Sequence, residues 1–501
     1  MNTGTESESD RPVARFRPSC LQCQRLKKKC DRKRPQCSLC TRQNRTCLYD
    51  ERSTYSDTVP SDSAPISDSR IEFSTQFRNE FPSVYFLDSV LFQRSGTKMQ
   101  DAGSDLGATL SSLVGDISTN REFVALYFEF VHPWLPFLSK KRFLERVLNP
   151  LGTKQIGNML LISSMKLVAE NIVEDNTISP LYNSVKLALL RLEMAGNLDF
   201  RTLQAWIMVS LYELGHGIYP AAYLTIGTCV RYARALCIHL SVENSFQSSV
   251  HDELDREERR RSWWAILLLD HFVHLGCPAA LGVNLQPTSD SILPIDDSIW
   301  DQGELSGAQL YRLYSPLTAT MGRFCLTAQA AILLRKVFQH VNDTLNTDQF
   351  RHQEATALDN TIAALTQVSL EEGRFRGIGV CSPTTICFSA RLLLHDEERR
   401  QRSGSLQRIT GGSPPRHIVD EILASMLRLA QALASCGNCG AEQISPFCLE
   451  AMYRSGIIFA QRFASEGDED AYESFKILKL GLEATSRRWK AGSKIISWIS
   501  Y

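Results

Sequence analysis

The chain has 501 residues, 43% of them hydrophobic, and its 55 basic side chains balance 55 acidic ones. That length suits more than one domain, with ample material for a large buried core. The first ten residues are polar with no apolar run, so no secretory signal is expected there, and no stretch of roughly 18 apolar residues offers a membrane span.

Overall neutrality conceals a division of charge. Between Arg15 and Cys47 stand eleven Lys and Arg against one acid, Asp31, and the remainder of the chain is net acidic. A strongly basic head on an acidic body suits an anionic polymer. The 15 cysteines are odd in number, and without a secretory signal a reducing compartment is expected. There, clustered cysteines serve as metal ligands rather than as disulfides.

In chain order, residues 1–14 read as a disordered N-terminus and 15–50 as a small metal-held module. Its six cysteines, Cys20, Cys23, Cys30, Cys37, Cys40 and Cys47, follow the pattern C-x2-C-x6-C-x6-C-x2-C-x6-C. The second three repeat the first three 17 residues later. Structural zinc is tetrahedral, so two separate ions need about eight ligands. Six thiolates bind two ions only if two sulfurs are shared, and the internal repeat points to a pair of repeat mates without choosing among the three such pairs. So short a module cannot bury a core of its own, so the metal must hold it folded. The lysine and arginine side chains between the second cysteine and Pro35 are the candidate nucleic-acid contacts. Lysine suits the O6 and N7 acceptors of guanine in the major groove.

Residues 51–70 are rich in Ser, Pro and Asp and read as a flexible linker. No sustained heptads follow between 48 and 110, so no coiled coil is expected; a homodimer would have to form through the large domain. From 71 to 501 the composition is that of a globular, all-α body. Residues 81–88 read as a docking segment and 105–118 as a loop. Helices are expected over 121–130, 160–173, 181–195, 203–214 and 221–236, the last two central because they are apolar on most faces. Trp263 and Trp264 are expected in the core, and Arg259, Arg260 and Arg261 in an ion network on a helix surface. Residues 401–416 read as a mobile insertion. The fold class is therefore mainly α: a small cysteine cluster module followed by a large helical domain.

No phosphate-binding loop, dinucleotide fingerprint or catalytic zinc motif occurs, so no enzyme is expected. His271 and His274, and the pair Cys436 and Cys439, lack the surroundings of a metal or redox site.

The six-cysteine pattern resembles the Zn₂Cys₆ binuclear cluster of fungal transcription factors. That resemblance assigns the shared ligands to Cys20 and Cys37, leaving Cys23 and Cys30 terminal on one ion and Cys40 and Cys47 on the other. It implies that Lys27 and Lys28 approach base edges of CGG-type DNA sites, with Gln24 standing where the family often carries arginine. Arg25, Lys29, Arg32, Lys33 and Arg34 are then expected on phosphates. Three further stretches, at 127–143, 211–234 and 257–270, resemble the fungal-specific transcription factor domain, with His271 where an arginine often follows the aspartate. The resemblance implies a nuclear activator of RNA polymerase II genes, with double-stranded DNA and the transcription machinery or co-regulators as partners. A secondary-metabolite pathway is the expected target; nutrient or xenobiotic regulation, repression and scaffolding remain alternatives.

Overall fold

Two units make up the chain, Met1–Asn79 and Glu80–Tyr501. The computed structural model describes residues 19–20, 22–23, 26, 28–43 and 45–47 of the first. Of the second it describes 104–149, 155–170, 178–196, 198–239, 253–276, 287–318, 321–343, 348–375, 381–404, 416–435 and 444–499. The linker expected over 51–70, the segment 81–88, most of the 401–416 insertion, and Cys436 and Cys439 lie outside these residues.

Among its described residues the first unit contributes the short helix α1 (Ser38–Arg42). The second begins with α2 (Ser104–Val114) where a loop was expected. Leu106, Leu110 and Val114 recur every four residues and are all buried, so they form one stripe of a helix. The glycine, alanine and serines between them dilute that stripe in the sequence. Gly115 then turns the chain at φ 71°, and Asp116 caps α3 (Ile117–Phe130) by accepting the Thr119 N–H at 2.9 Å.

Next come α4 (Ile156–Ala169), α5 (Pro180–Met194), α6 (Phe200–Gly215) and α7 (Ala221–Ala235). Asp199 caps α6, accepting from the Arg201 and Thr202 N–H groups at 2.9 and 3.1 Å. As expected, α6 is central: the consecutive residues Trp206, Ile207, Met208 and Val209 are all buried, and four successive residues face every side of a helix. By contrast α7 lies at the surface. It buries Ile226, Cys229, Val230 and Ala233 but exposes Tyr223 and Leu224, because an apolar side chain on an outer helix need not face the core.

The long α8 (Glu253–Val273) follows, with the short α9 (Asp297–Gln302) beyond it. Trp263 and Trp264 are buried as expected. Arg260 and Arg261 before them are buried too and Arg259 is half-buried, which corrects the expected surface network: these charges enter the body paired. Asp255 accepts from Arg259, and Glu257 from Arg260 and Arg261, each pair three or four residues apart on the helix. Glu258, fully buried, accepts from Arg142 and Arg201 at 2.9 and 2.8 Å. These pairs tie α8 to α6 and to the turn at 140–142.

The remaining helices are α10 (Arg323–Asn342), α11 (Asp348–Phe375), α12 (Ser382–Gly404), α13 (Arg416–Ser435), α14 (Cys448–Glu466), α15 (Glu469–Ser486) and α16 (Ala491–Ile499). Close approach of α13 and α15 depends on Gly481, where a Cβ would come within 2.6 Å of the Ala430 Cβ. The chain end is pinned by Trp489, which donates to the Ile444 carbonyl at 2.8 Å and leaves room only for glycine at 215. One continuous core runs from Leu106 to Trp489, so α2–α16 form one body. Among the described residues there is no strand, only an isolated antiparallel bridge between Ile292 and Arg312. No described helix is long and apolar enough to cross a membrane.

His271 and His274 are packed core residues. His271 donates from Nδ1 to the Ala331 carbonyl at 3.0 Å, and His274 from Nδ1 to that of Asp270 at 2.5 Å. Burial raises the Asp270 carboxyl above its ordinary range, and Arg335 on α10 acts against that rise. Burial, helped by Arg335, holds His271 down at about 3. The unfolded chain therefore takes up this proton first, so stability falls as the pH drops from about 6.5 toward that value. Going from pH 7 to pH 5 is expected to cost about 2 kcal/mol through this group alone. Urea denaturation across that range checks it: His271→Gln should flatten the slope, and an unchanged slope would refute the assignment.

Candidate metal centre and nucleic-acid interface

The six cysteine sulfurs are gathered by two copies of one backbone arrangement. In the first copy, Cys23 N–H points at Cys20 Sγ at 3.4 Å; in the second, Cys40 N–H points at Cys37 Sγ at 3.5 Å. Leu26 N–H donates to the Gln22 carbonyl and Lys28 N–H to that of Cys23, at 3.1 and 2.9 Å. Seventeen residues on, Gln43 N–H donates to the Leu39 carbonyl and Arg45 N–H to that of Cys40, at 3.2 and 3.0 Å. The sequence repeat is thus a structural repeat, and Arg45 stands in the second half where Lys28 stands in the first.

Two groups of four sulfurs result, each with its atoms within 4.8 Å of one another: Cys20, Cys23, Cys30 and Cys37, and Cys20, Cys37, Cys40 and Cys47. They share Cys20 and Cys37, the pair that the resemblance implied. Around a tetrahedral zinc with bonds of about 2.3 Å, sulfurs sit about 3.8 Å apart. Cys20 and Cys37 are 3.7 Å apart, Cys20 and Cys40 3.8 Å, and Cys23 and Cys37 3.6 Å. The donor set and its spacing therefore fit two zinc ions with two shared thiolates. All six sulfurs belong to buried residues except that of half-buried Cys30. No other described residues form a cluster able to hold a metal.

The thiols are not equivalent. The Cys40 backbone N–H lowers Cys37 to about 6, favouring the thiolate on a shared ligand. Burial raises Cys20 and Cys23, and pushes Cys40 up to about 12. Bound zinc supplies the positive charge that keeps such thiols deprotonated.

Asp31, the lone acid of the basic head, has a structural task that its composition did not reveal. Its carboxylate accepts the Ser38 N–H at 3.1 Å and the Ser38 hydroxyl at 2.5 Å, fastening the connecting loop to the start of α1. The hydrogen bonds from Ser38 hold its carboxyl below the usual range. Arg32, next in the loop, has φ 57°, and the Arg34–Pro35 peptide is cis.

Of the residues expected on DNA, Lys28, Lys29, Arg32, Lys33 and Arg34 are exposed. Arg25 and Lys27 lie outside the described residues. Arg42 and Arg45, also exposed, were not singled out from the sequence. The signal for them was present: they are the 17-residue repeat mates of Arg25 and Lys28.

Comparison with known families agrees with this geometry. Residues 18–56 match the fungal Zn(2)-Cys(6) binuclear cluster domain, and residues 124–360 match the fungal specific transcription factor domain. The chain is 34% identical over 178 residues to transcription factor BOA15 of Botryotinia fuckeliana, a match spanning 35% of this chain and 98% of that one. The chain belongs to the fungal Zn(2)-Cys(6) transcription factors. Its relatives include the ascochitine biosynthesis cluster transcriptional regulator of Didymella fabae, 22% identical over 63% of this chain and 58% of the relative. The citrinin biosynthesis transcriptional activator ctnR of Monascus purpureus is 23% identical over 34% of this chain and 31% of its own length. No solved structure matches the chain. In this family setting the two sulfur tetrads are the sites of two zinc ions.

Proposed function

We propose that this chain is a nuclear, sequence-specific DNA-binding regulator of RNA polymerase II genes, and that it activates a fungal secondary-metabolite gene cluster. The observation that carries the DNA-binding reading is the pair of sulfur tetrads sharing Cys20 and Cys37 inside a strongly basic head. Six thiolates and two Zn²⁺ leave a cluster charge of about −2. The surrounding lysines and arginines outweigh it by roughly eight charges, so an anionic metal core still presents a cationic surface to DNA.

In this reading Lys27 and Lys28 approach guanine O6 and N7 of a CGG-type site, while Arg25, Lys29, Arg32, Lys33 and Arg34 neutralise phosphates. The helical body recruits co-regulators or the transcription machinery, and any homodimer forms through it. Support for the pathway comes from the relatives, which are named as regulators of ascochitine and citrinin biosynthesis.

Binding by the full-length protein to a CGG duplex and to a scrambled duplex, at several salt concentrations, tests the contacts. Lys28→Ala is expected to weaken CGG binding about tenfold or more and to narrow the gap to the scrambled duplex. Lys29→Ala is expected to weaken both duplexes alike and to reduce the salt slope by about one. Equal behaviour of the two variants would remove the division into base and phosphate contacts. Genome-wide occupancy tests the pathway: it should concentrate on promoters of one biosynthetic cluster, and occupancy of nutrient-use genes instead would overturn it.

A further inference from the structure

A cavity of about 440 Å³ opens in the helical body between α10, α11, α12, α13 and the segment before α14. Its volume is that of a small-molecule site. Three arginines line it, Arg323, Arg374 and Arg428, and among the described residues no acidic side chain does. Arg323 is already committed: it bonds to Glu372 at 3.4 Å and to the Pro133 carbonyl at 3.2 Å. The other two differ. Arg374 and Arg428 are exposed, they come from different helices, and neither pairs with a carboxylate among the described residues. Among the described residues Arg428 reaches the Ser425 hydroxyl alone, at 3.0 Å.

The rest of the lining is of another kind. Trp134, Leu370, Leu429 and Leu433 supply apolar wall. Trp134 is itself fixed by donating to the Phe130 carbonyl at 2.7 Å. Along another part of the wall, the Ser382 hydroxyl donates to that of Ser445 at 2.9 Å, so α12 and the segment before α14 meet through satisfied groups. Two guanidinium groups without acidic partners among the described residues, beside a wall of Trp134, Leu370, Leu429 and Leu433, make a site for a ligand with one anionic end and a hydrophobic remainder. Guanidinium forks bind carboxylates in two-pronged fashion, and such charge-assisted bonds strengthen in apolar surroundings.

We propose that this cavity binds a small organic carboxylate, its carboxylate held by Arg374 and Arg428 and its apolar body against Trp134, Leu370, Leu429 and Leu433. The site lies wholly in the helical body and does not depend on how the zinc head reads DNA.

Calorimetric titration of the zinc-loaded full-length protein with 2-naphthoate tests the proposal, with 2-naphthamide as the uncharged counterpart of the same shape. Naphthoate should saturate with a Kd of about 1 mM or below, as expected for a ligand of that size. It should bind about tenfold more tightly than naphthamide. The double variant Arg374→Gln/Arg428→Gln should bring naphthoate to the affinity of the amide, with an unchanged circular dichroism spectrum because both side chains are exposed. Inorganic phosphate at equal concentration should not displace naphthoate. Equal affinities for acid and amide, no saturation below about 10 mM, full retention in the double variant, or displacement by phosphate would each overturn the assignment.

Discussion

Replacing Cys37 by serine is expected to empty the head of both metal ions, whereas replacing Cys47 should remove only one. The difference follows from the geometry: Cys37 belongs to both sulfur tetrads and Cys47 to one. Cys20→Ser should behave as Cys37→Ser does. Structural zinc supplies on the order of 10 kcal/mol to the folding of small modules, so loss of both ions leaves the head unfolded. DNA affinity should then fall by at least about a hundredfold, to the level set by unspecific charge. Native mass spectrometry counts the ions, and a DNA titration reads the consequence. One ion retained in the Cys37 variant would mean that the sulfurs are not shared in this way.

Arg261→Ala is expected to destabilise the helical body by about 3–5 kcal/mol, the range for breaking a buried charge pair. The Arg261 guanidinium is fully buried and spends each nitrogen. Nε donates to Glu257 at 2.9 Å, Nη1 to Asp297 at 2.9 Å and the Pro136 carbonyl at 3.1 Å, and Nη2 to the Ile295 carbonyl at 2.7 Å. It also stands over the Trp300 ring, 4.8 Å from its centre. Alanine would leave two carboxylates and two carbonyls each short of a donor in the interior. Lysine should rescue little, because a point charge cannot reproduce a planar fork that serves four acceptors. Chemical denaturation measures the loss. A change below about 1 kcal/mol would show that the network contributes geometry and little stability.

The cysteine cluster was legible because ligand chemistry fixes both residue type and spacing. Its shared pair was not, since three pairs of repeat mates are equivalent along the chain. Only the convergence of sulfurs in space separates Cys20 and Cys37 from the rest, as the family resemblance had implied. Asp31 was illegible for a related reason: a lone acid in a basic stretch looks like solvated charge until Ser38 is seen against it.

In the helical body, periodicity located α3 to α6 well. It overrated α7, whose outward Tyr223 and Leu224 are apolar without being buried, and it missed α2, where small residues dilute the stripe. The buried arginines of α8 were placed on a surface because charged side chains usually lie there. What brings Arg261 inside is its partner set at Pro136, Ile295 and Asp297, residues far from it along the chain. The cavity with Arg374 and Arg428 is likewise a product of tertiary packing, since its walls come from six separate stretches.

The central claim, that a pair of zinc ions sharing Cys20 and Cys37 organises the DNA-reading head, is tested most directly by one titration. Metal-free full-length protein is supplied with zinc in steps while binding to a CGG duplex is followed. The account predicts that affinity rises to a plateau at two equivalents of zinc bound to the head. A plateau at one equivalent, or DNA binding that ignores zinc, would contradict it.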